Sequence, residues 1–240
     1  RLHGTGDPED EIAAVVCATA GRGGTILIPS FAVGRAQTLM FHLAHLKREG
    51  RIPDLPVFLD SPMAENASDV FCKHLADHRL SAGECHAACG VATYVRTPDQ
   101  SRALNTNPMP KVIISASGMA TGGRVLHHLK VYASDSRNTI LFAGFQAGGT
   151  RGAAMIAGAE RIKIHGEYIP VRAEVQNLTM LSAHADQSEL LRWLGGFSQS
   201  PGRVFIVHGE PTASETLRVA IRDELGWDCE TPGLFDEAQL

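Results

Sequence analysis

The sequence predicts an α/β fold built on a mostly parallel, doubly wound sheet, and three observations point there. Short β-rich apolar runs recur along most of the chain, a glycine-marked turn follows each, and a helical pattern follows each turn. Strands alternating with helices of about 10–15 residues are the pattern of βαβ units, whose crossovers require parallel strands.

In chain order, Thr25-Ile26-Leu27-Ile28-Pro29 leads through Gly34 to a helix over Ala36–Glu49. Pro56-Val57-Phe58-Leu59-Asp60 leads through Ser61-Pro62 to a helix over Ala64–His78. Lys111-Val112-Ile113-Ile114-Ser115 precedes the glycine turn Gly118–Gly123 and a helix over Val125–Tyr132. Asn138-Thr139-Ile140-Leu141-Phe142 precedes Gly144–Gly149 and a helix from about Thr150. Arg161–His165 and Tyr168–Val175 flank Gly166-Glu167, which predicts a β-hairpin. Strands are expected over Leu178–Ser182 and Arg203–Val207, each feeding a helix. Asp186 with Glu189 three residues on resembles a capping box and opens a helix over Ser188–Leu194; Pro211–Leu225 forms the last helix. The stretch Ser81–Pro110 reads as irregular.

At 240 residues, 44% hydrophobic and 20% charged, the chain is long enough for a sizeable core in one large or two smaller domains. No apolar run reaches the roughly 18 residues a membrane span needs. The opening Arg1-Leu2-His3-Gly4 is neither a signal peptide nor a methionine start, and suggests a fragment or processed product. Five scattered cysteines without a secretory signal predict reduced thiols in a cytoplasmic setting. With a net charge of −4, nucleic acid would bind through a local cationic cleft or a metal rather than through bulk charge.

His184 and His208 stand where an apolar strand gives way to a helix. Ligands of open α/β sheets bind beyond the carboxyl ends of the strands, and an imidazole there is placed to meet a metal or a reacting group. The alternative, a loop histidine satisfied by nearby backbone, is left open by placement alone. The glycine turns each carry an arginine, at Gly34-Arg35, Gly123-Arg124 and Thr150-Arg151. Helix N-terminal amides with guanidinium suit phosphate oxygens, although glycines also serve tight turns by themselves.

Other candidates carry less. Asp60 closes a strand and is expected to cap a helix or structure a loop. Adjacent His127 and His128 diverge by about 100° on a helix, so one is expected to face the cleft. His74 and His78 have helical i,i+4 spacing without the glutamate of His-Glu-x-x-His; they, like His42 and His45, are expected on a surface helix. Cys85-His86-x-x-Cys89 offers three soft ligands but no second half, so no structural zinc is expected there.

Ser182-Ala183-His184 and Val207-His208-Gly209-Glu210 resemble the motif B and motif C histidines of the β-CASP ribonucleases, within the metallo-β-lactamase superfamily. Four further segments agree in order: Ile28–Gln37, Leu59–Ala64, Ser117–Arg124 and Gly144–Thr150. The resemblance covers nearly the whole chain and is weakest over Ser81–Pro110. It implies a β-CASP domain over residues 1–180 and, over 181–240, the C-terminal segment of a metallo-β-lactamase αββα sandwich. It implies zinc-dependent hydrolysis of RNA phosphodiester bonds, with two Zn2+ ions in the intact enzyme. His208 takes the role of a zinc ligand and His184 that of general acid; a histidine at motif C is typical of the RNA-acting branch. Arg35, Ser117, Gly118, Gly123, Arg124, Gln146, Gly149 and Thr150 are the residues expected to track the RNA backbone.

The family's main metal cluster, His-x-His-x-Asp-His, does not occur in these residues and is expected before Arg1. A stable zinc site needs three or four ligands, so at most a partial site and no hydrolysis is expected of this chain alone. The partners implied are single-stranded RNA and an N-terminal metallo-β-lactamase half, with no membrane. Apolar surface left exposed on Leu178–Ser182 and Arg203–Val207 would favour a homodimer. The rival reading is a catalytically dead RNA-binding or scaffold subunit of a nuclease complex. A nucleotide-dependent enzyme is disfavoured, since neither a P-loop nor a Gly-x-Gly-x-x-Gly after a strand occurs.

Overall fold

The continuous apolar runs become strands buried on both faces. The computed structural model describes residues 2–4 and 6–239. In chain order the first elements are α1 (Pro8–Gly21), β1 (Ile26–Pro29), α2 (Arg35–Arg48), β2 (Val57–Asp60), α3 (Pro62–Lys73) and α4 (Ala82–Gly90). Then come β3 (Ala92–Tyr94), α5 (Pro98–Thr106), β4 (Val112–Ser115), α6 (Val125–Tyr132), β5 (Thr139–Ala143) and α7 (Arg151–Ile156). The hairpin β6 (Arg161–Ile164) and β7 (Glu167–Pro170) precedes β8 (Glu174–Leu178).

Six strands form one sheet in the order β3-β2-β4-β1-β5-β8, every pair parallel. Successive side chains of a strand point to opposite faces. Ile26, Ile28, Val57, Leu59, Val112 and Ile114 therefore join α1 and α2 in one core layer, while Leu27, Ile113, Ile140 and Phe142 join α6 in the other. Each such side chain contributes about 1.5–3 kcal/mol on burial, and double coverage is why the strands read as unbroken apolar runs.

The crossover from β1 through α2 to β2 lies on the first face, and that from β4 through α6 to β5 on the second. Adjacent strands β1 and β4 thus send their connections in opposite directions. Their carboxyl ends mark a topological switch point, the usual position of a ligand crevice.

Several expectations need correction. The segment 81–110 is not irregular: it holds α4, β3 and α5, and both helices open with capping boxes, Ser81 with Glu84 and Thr97 with Gln100. The helix expected over Ala64–His78 stops at Lys73, before a 3-10 turn over Leu75–Asp77. His74 and His78 consequently share no helical face; the His78 ring stacks on Phe71 with centroids 4.3 Å apart. The five cysteines are not all thiols, because Cys72 at the end of α3 is disulfide-bonded to Cys89 of α4. The second hairpin arm ends at Pro170, and β8 leaves to pair with β5. The strand expected over Leu178–Ser182 stops at Leu178; Leu178 and Leu181 are 2% and 9% exposed, packed in the core rather than presented to solvent.

Helix α1 had no counterpart among the expected elements. Asp7 caps it by accepting from the Glu9 amide, Pro8 fits the first turn, and Ile12, Val15 and Val16 face the core. Glu9, itself buried, meets Nδ1 of His42 at 3.0 Å and Nδ1 of His45 at 2.8 Å, so those two histidines bind a carboxylate between helices rather than lining a plain surface.

Contacts divide the chain into two units, Thr5–Leu181 and Ser182–Leu240 with Arg1–Gly4. The second unit contains α8 (Gln187–Leu194), β9 (Val204–Phe205), α9 (Pro211–Leu225) and β10 (Cys229–Glu230), with β9 and β10 parallel. Asp186 and Glu189 form the capping box of α8. The strand expected over Arg203–Val207 shrinks to two residues, leaving Val207 56% exposed.

Candidate functional site

Three loops project from the carboxyl ends of β1, β4 and β5. The first two touch: a Cβ on Gly118 would stand 2.9 Å from the Phe31 backbone nitrogen, and one on Gly123, at φ 76°, would stand 2.6 Å from the Ala116 carbonyl oxygen. Only glycine permits that approach. Ser117 Oγ knits the second loop, accepting from the Thr121 amide at 3.1 Å and the Gly122 amide at 3.3 Å. Gln146, in the third loop, donates from Nε2 to the Gly118 carbonyl at 3.1 Å, while its Oε1 is buried without a partner. Gly149 holds φ 78°, and Thr150 caps α7 by accepting from the Ala153 amide at 3.1 Å.

The three turn arginines have different fates. Arg124 donates to Asp60 Oδ1 at 2.6 Å and to the carbonyls of Val95 and Arg96 at 2.9 and 3.0 Å. Arg151 donates to the carbonyls of Lys163, Ala120 and Thr121. Both are structural clamps whose hydrogen bonds a phosphate would have to displace. Arg35 is the first residue of α2; its amide donates to the Val33 carbonyl at 3.0 Å, but its guanidinium has no ion-pair or hydrogen-bond partner among the described residues. Burial lowers its pKa, the mark of a cation that has lost water without gaining a counter-charge. A guanidinium nitrogen of Arg35 stands 3.9 Å from where a Cβ on Gly144 would lie, so Arg35 sits at the root of the third loop.

Asp60 is the hub beneath these loops, a wider role than capping. Fully buried, it meets His128 Nε2 at 2.7 Å and Arg124, and accepts from the Ser101 hydroxyl. Burial pushes its carboxyl up, but hydrogen bonds from His128, Ser101 and Arg124 outweigh this and hold it below the ordinary carboxylate value. His128 is wholly buried, with Nδ1 2.7 Å from Asn105 Oδ1, and the exposed His127 lies against the His165 ring at 5.2 Å.

In the second unit His184 is exposed in the loop before α8, its amide donating to Ser182 Oγ at 3.2 Å. Asp186 is held well below the carboxylate range by the backbone amide of His3, then by Ser188 and Glu189. His208 is exposed with φ 64° and lines a cavity of about 520 Å³ together with Val207, Gly209, Ser214, Glu215 and Phe235. His184 is not among the residues lining that cavity. The described residues contain three clusters of three or more metal-ligating side chains, and none includes His184 or His208. One imidazole does not fit a zinc pair, so no step through zinc is derived from these residues.

A parallel, doubly wound sheet with glycine loops at its switch point and two histidines in a C-terminal unit define a class that the family comparisons then identify. Residues 36–155 match the Beta-Casp domain, and residues 168–232 match the Zn-dependent metallo-hydrolase RNA specificity domain. The chain belongs to the β-CASP family of the metallo-β-lactamase superfamily. It is 40% identical over 207 residues to Ribonuclease TTHA0252 of Thermus thermophilus, covering 83% of this chain and 46% of that protein. It is 33% identical over 231 residues to Transcription termination factor FttA of Methanosarcina mazei, covering 91% of this chain and 36% of that protein. The Pyrococcus abyssi FttA is 31% identical over 245 residues, 98% of this chain and 38% of that protein. The chain thus spans less than half the length of these relatives. No helix among the described residues is long and apolar enough to cross a membrane.

Proposed function

We propose that this chain is the RNA-gripping β-CASP portion and C-terminal segment of a zinc-dependent ribonuclease, and that by itself it binds single-stranded RNA without cleaving it. The observation that carries the proposal is the uncompensated guanidinium of Arg35 at the switch point. A phosphate oxygen supplies the missing counter-charge, and the N-terminus of α2, which has no acidic residue in its first turn, adds favourable potential. Kinship with a named ribonuclease supports RNA as the substrate. His184 is assigned as proton donor to the leaving oxygen, and its exposure leaves the ring accessible to substrate. His208 is assigned as one zinc ligand, the others belonging to an N-terminal metallo-β-lactamase half.

Fluorescence anisotropy with single-stranded RNA at several salt concentrations tests the grip. Arg35→Met is expected to weaken binding about tenfold, the worth of a charged hydrogen bond, and to reduce the salt slope by about one phosphate contact. Unchanged affinity and slope would overturn that half of the proposal. Metal-dependent RNA cleavage by the 240-residue protein, lost in His208→Ala, would overturn the other.

A further inference from the structure

Cys85 and Cys89 lie four residues apart on α4 and so share a face, and Cys72 reaches them from the last turn of α3. The three sulfurs all lie within 4.8 Å of one another. Cys72 and Cys89 form a disulfide, and Cys85 Sγ stands 3.3 Å from Cys72 Sγ. A bridge needs two sulfurs, and the third has no place in it. Cys72 and Cys89 also line a cavity of about 320 Å³ whose walls include the exposed His86 and Asp69, both outside the tight sulfur cluster itself.

We propose that Cys72, Cys85 and Cys89, once reduced, form a thiolate site for a soft divalent cation of the zinc class, with the fourth position filled from the cavity by His86 or Asp69. Three thiolates and one imidazole are a regular ligand set for Zn2+, which holds sulfur at about 2.3 Å in a tetrahedron. Both helices have caps that do not involve the sulfurs, Ser61 for α3 and the Ser81–Glu84 capping box for α4, so opening the bridge leaves those anchors in place. The missing half of the Cys85-His86-x-x-Cys89 pattern is Cys72, far off in sequence and supplied by the neighbouring helix.

The chemistry balances. A dithiol reductant opens the Cys72–Cys89 bond, leaving two protein thiols and the oxidised reductant as a disulfide. The cation then displaces the protons of all three thiols to solvent, including that of Cys85, whose pKa burial raises. Exchange with an oxidised dithiol re-forms the bridge: the Cys72 and Cys89 thiolates become the disulfide, the dithiol is regenerated with two protons from solvent, and the ion leaves as Cys85 re-protonates. The bridged and metal-bound forms are therefore mutually exclusive.

The test uses the 240-residue protein reduced with a phosphine and titrated with Co2+. One ion per chain is expected, with thiolate-to-cobalt charge-transfer absorption that Cys85→Ser abolishes and that Cys17→Ser/Cys229→Ser retains. A readout on the unmutated chain guards against misfolding of the variant. Zn2+ is expected to slow alkylation of Cys72 and Cys89 at least tenfold, read by mass spectrometry, while the exposed Cys17 keeps its rate. The proposal fails if the reduced protein shows no charge-transfer band, if the band survives in Cys72→Ser, Cys85→Ser and Cys89→Ser alike, or if Zn2+ leaves alkylation unchanged. Equal Co2+ uptake by the disulfide form would overturn the exclusivity.

Discussion

With no exposed surface, Asp60 keeps its charge because His128, Ser101 and Arg124 replace the water it has lost. Its pKa is lower folded than unfolded, so its contribution to stability is fully present above the unfolded value of about 4. That contribution is lost as pH falls through the lower, folded value. Asp60→Asn removes the charge and leaves Arg124 and His128 facing a neutral amide. A loss of about 3 kcal/mol is expected at pH 7, because breaking a buried pair strands its partner. Urea midpoints followed by circular dichroism at pH 7 and pH 3 check both statements. Wild type and variant should converge toward the acid end, and a gap as wide at pH 3 as at pH 7 would contradict the assignment. At this scale, sequence spacing showed that Arg35, Arg124 and Arg151 share a pattern. It did not show that two of them are consumed by carbonyls and Asp60, because those partners arrive from distant segments.

Among the elements, α5 carries Ser101 to Asp60 and rests on the Thr97–Gln100 capping box. Thr97→Ala is expected to lower stability by about 1 kcal/mol, as a shift of the urea midpoint with an unchanged slope. Such caps were legible at Asp186–Glu189 because an apolar strand and helix pattern framed them. The same signals at Ser81–Glu84 and Thr97–Gln100 stand in a segment whose short, half-exposed elements blur any periodicity. The helices over Val125–Tyr132 and Pro211–Leu225 were legible to the residue and the central strands to within one residue at either end, since burial on both faces or sharp helix ends leave an unambiguous pattern. Strand β8 was not, since only the last of its five residues is fully buried.

For the molecule as a whole, the two units differ sharply in core. The unit Thr5–Leu181 holds both large apolar clusters, whereas among the described residues of 182–239 only Leu191 and Ile221 are apolar and buried. Leu234 and Phe235 are 85% and 90% exposed there. Little buried area means a low free energy of local opening. Amide hydrogen exchange is expected to be at least tenfold faster in α9 than in α6; equal protection would show support from elsewhere. The site followed the same division. The glycine loops were readable as strand-end turns, but the cavity beside His208, lined without His184, draws its far wall from residues 231–235, which no spacing near the histidine announces.

The contact between Gly118 and Phe31 has an evolutionary consequence. Two of the three loops at the sheet's rim meet there, so a side chain at residue 118 would press on residue 31. At the third loop space is not the constraint, since a methyl group at Gly149 would meet nothing within 4 Å, but a φ of 78° strains any L side chain there. Residues 31 and 118 should therefore change only in concert, while residue 149 should stay glycine for its backbone rather than for its surroundings.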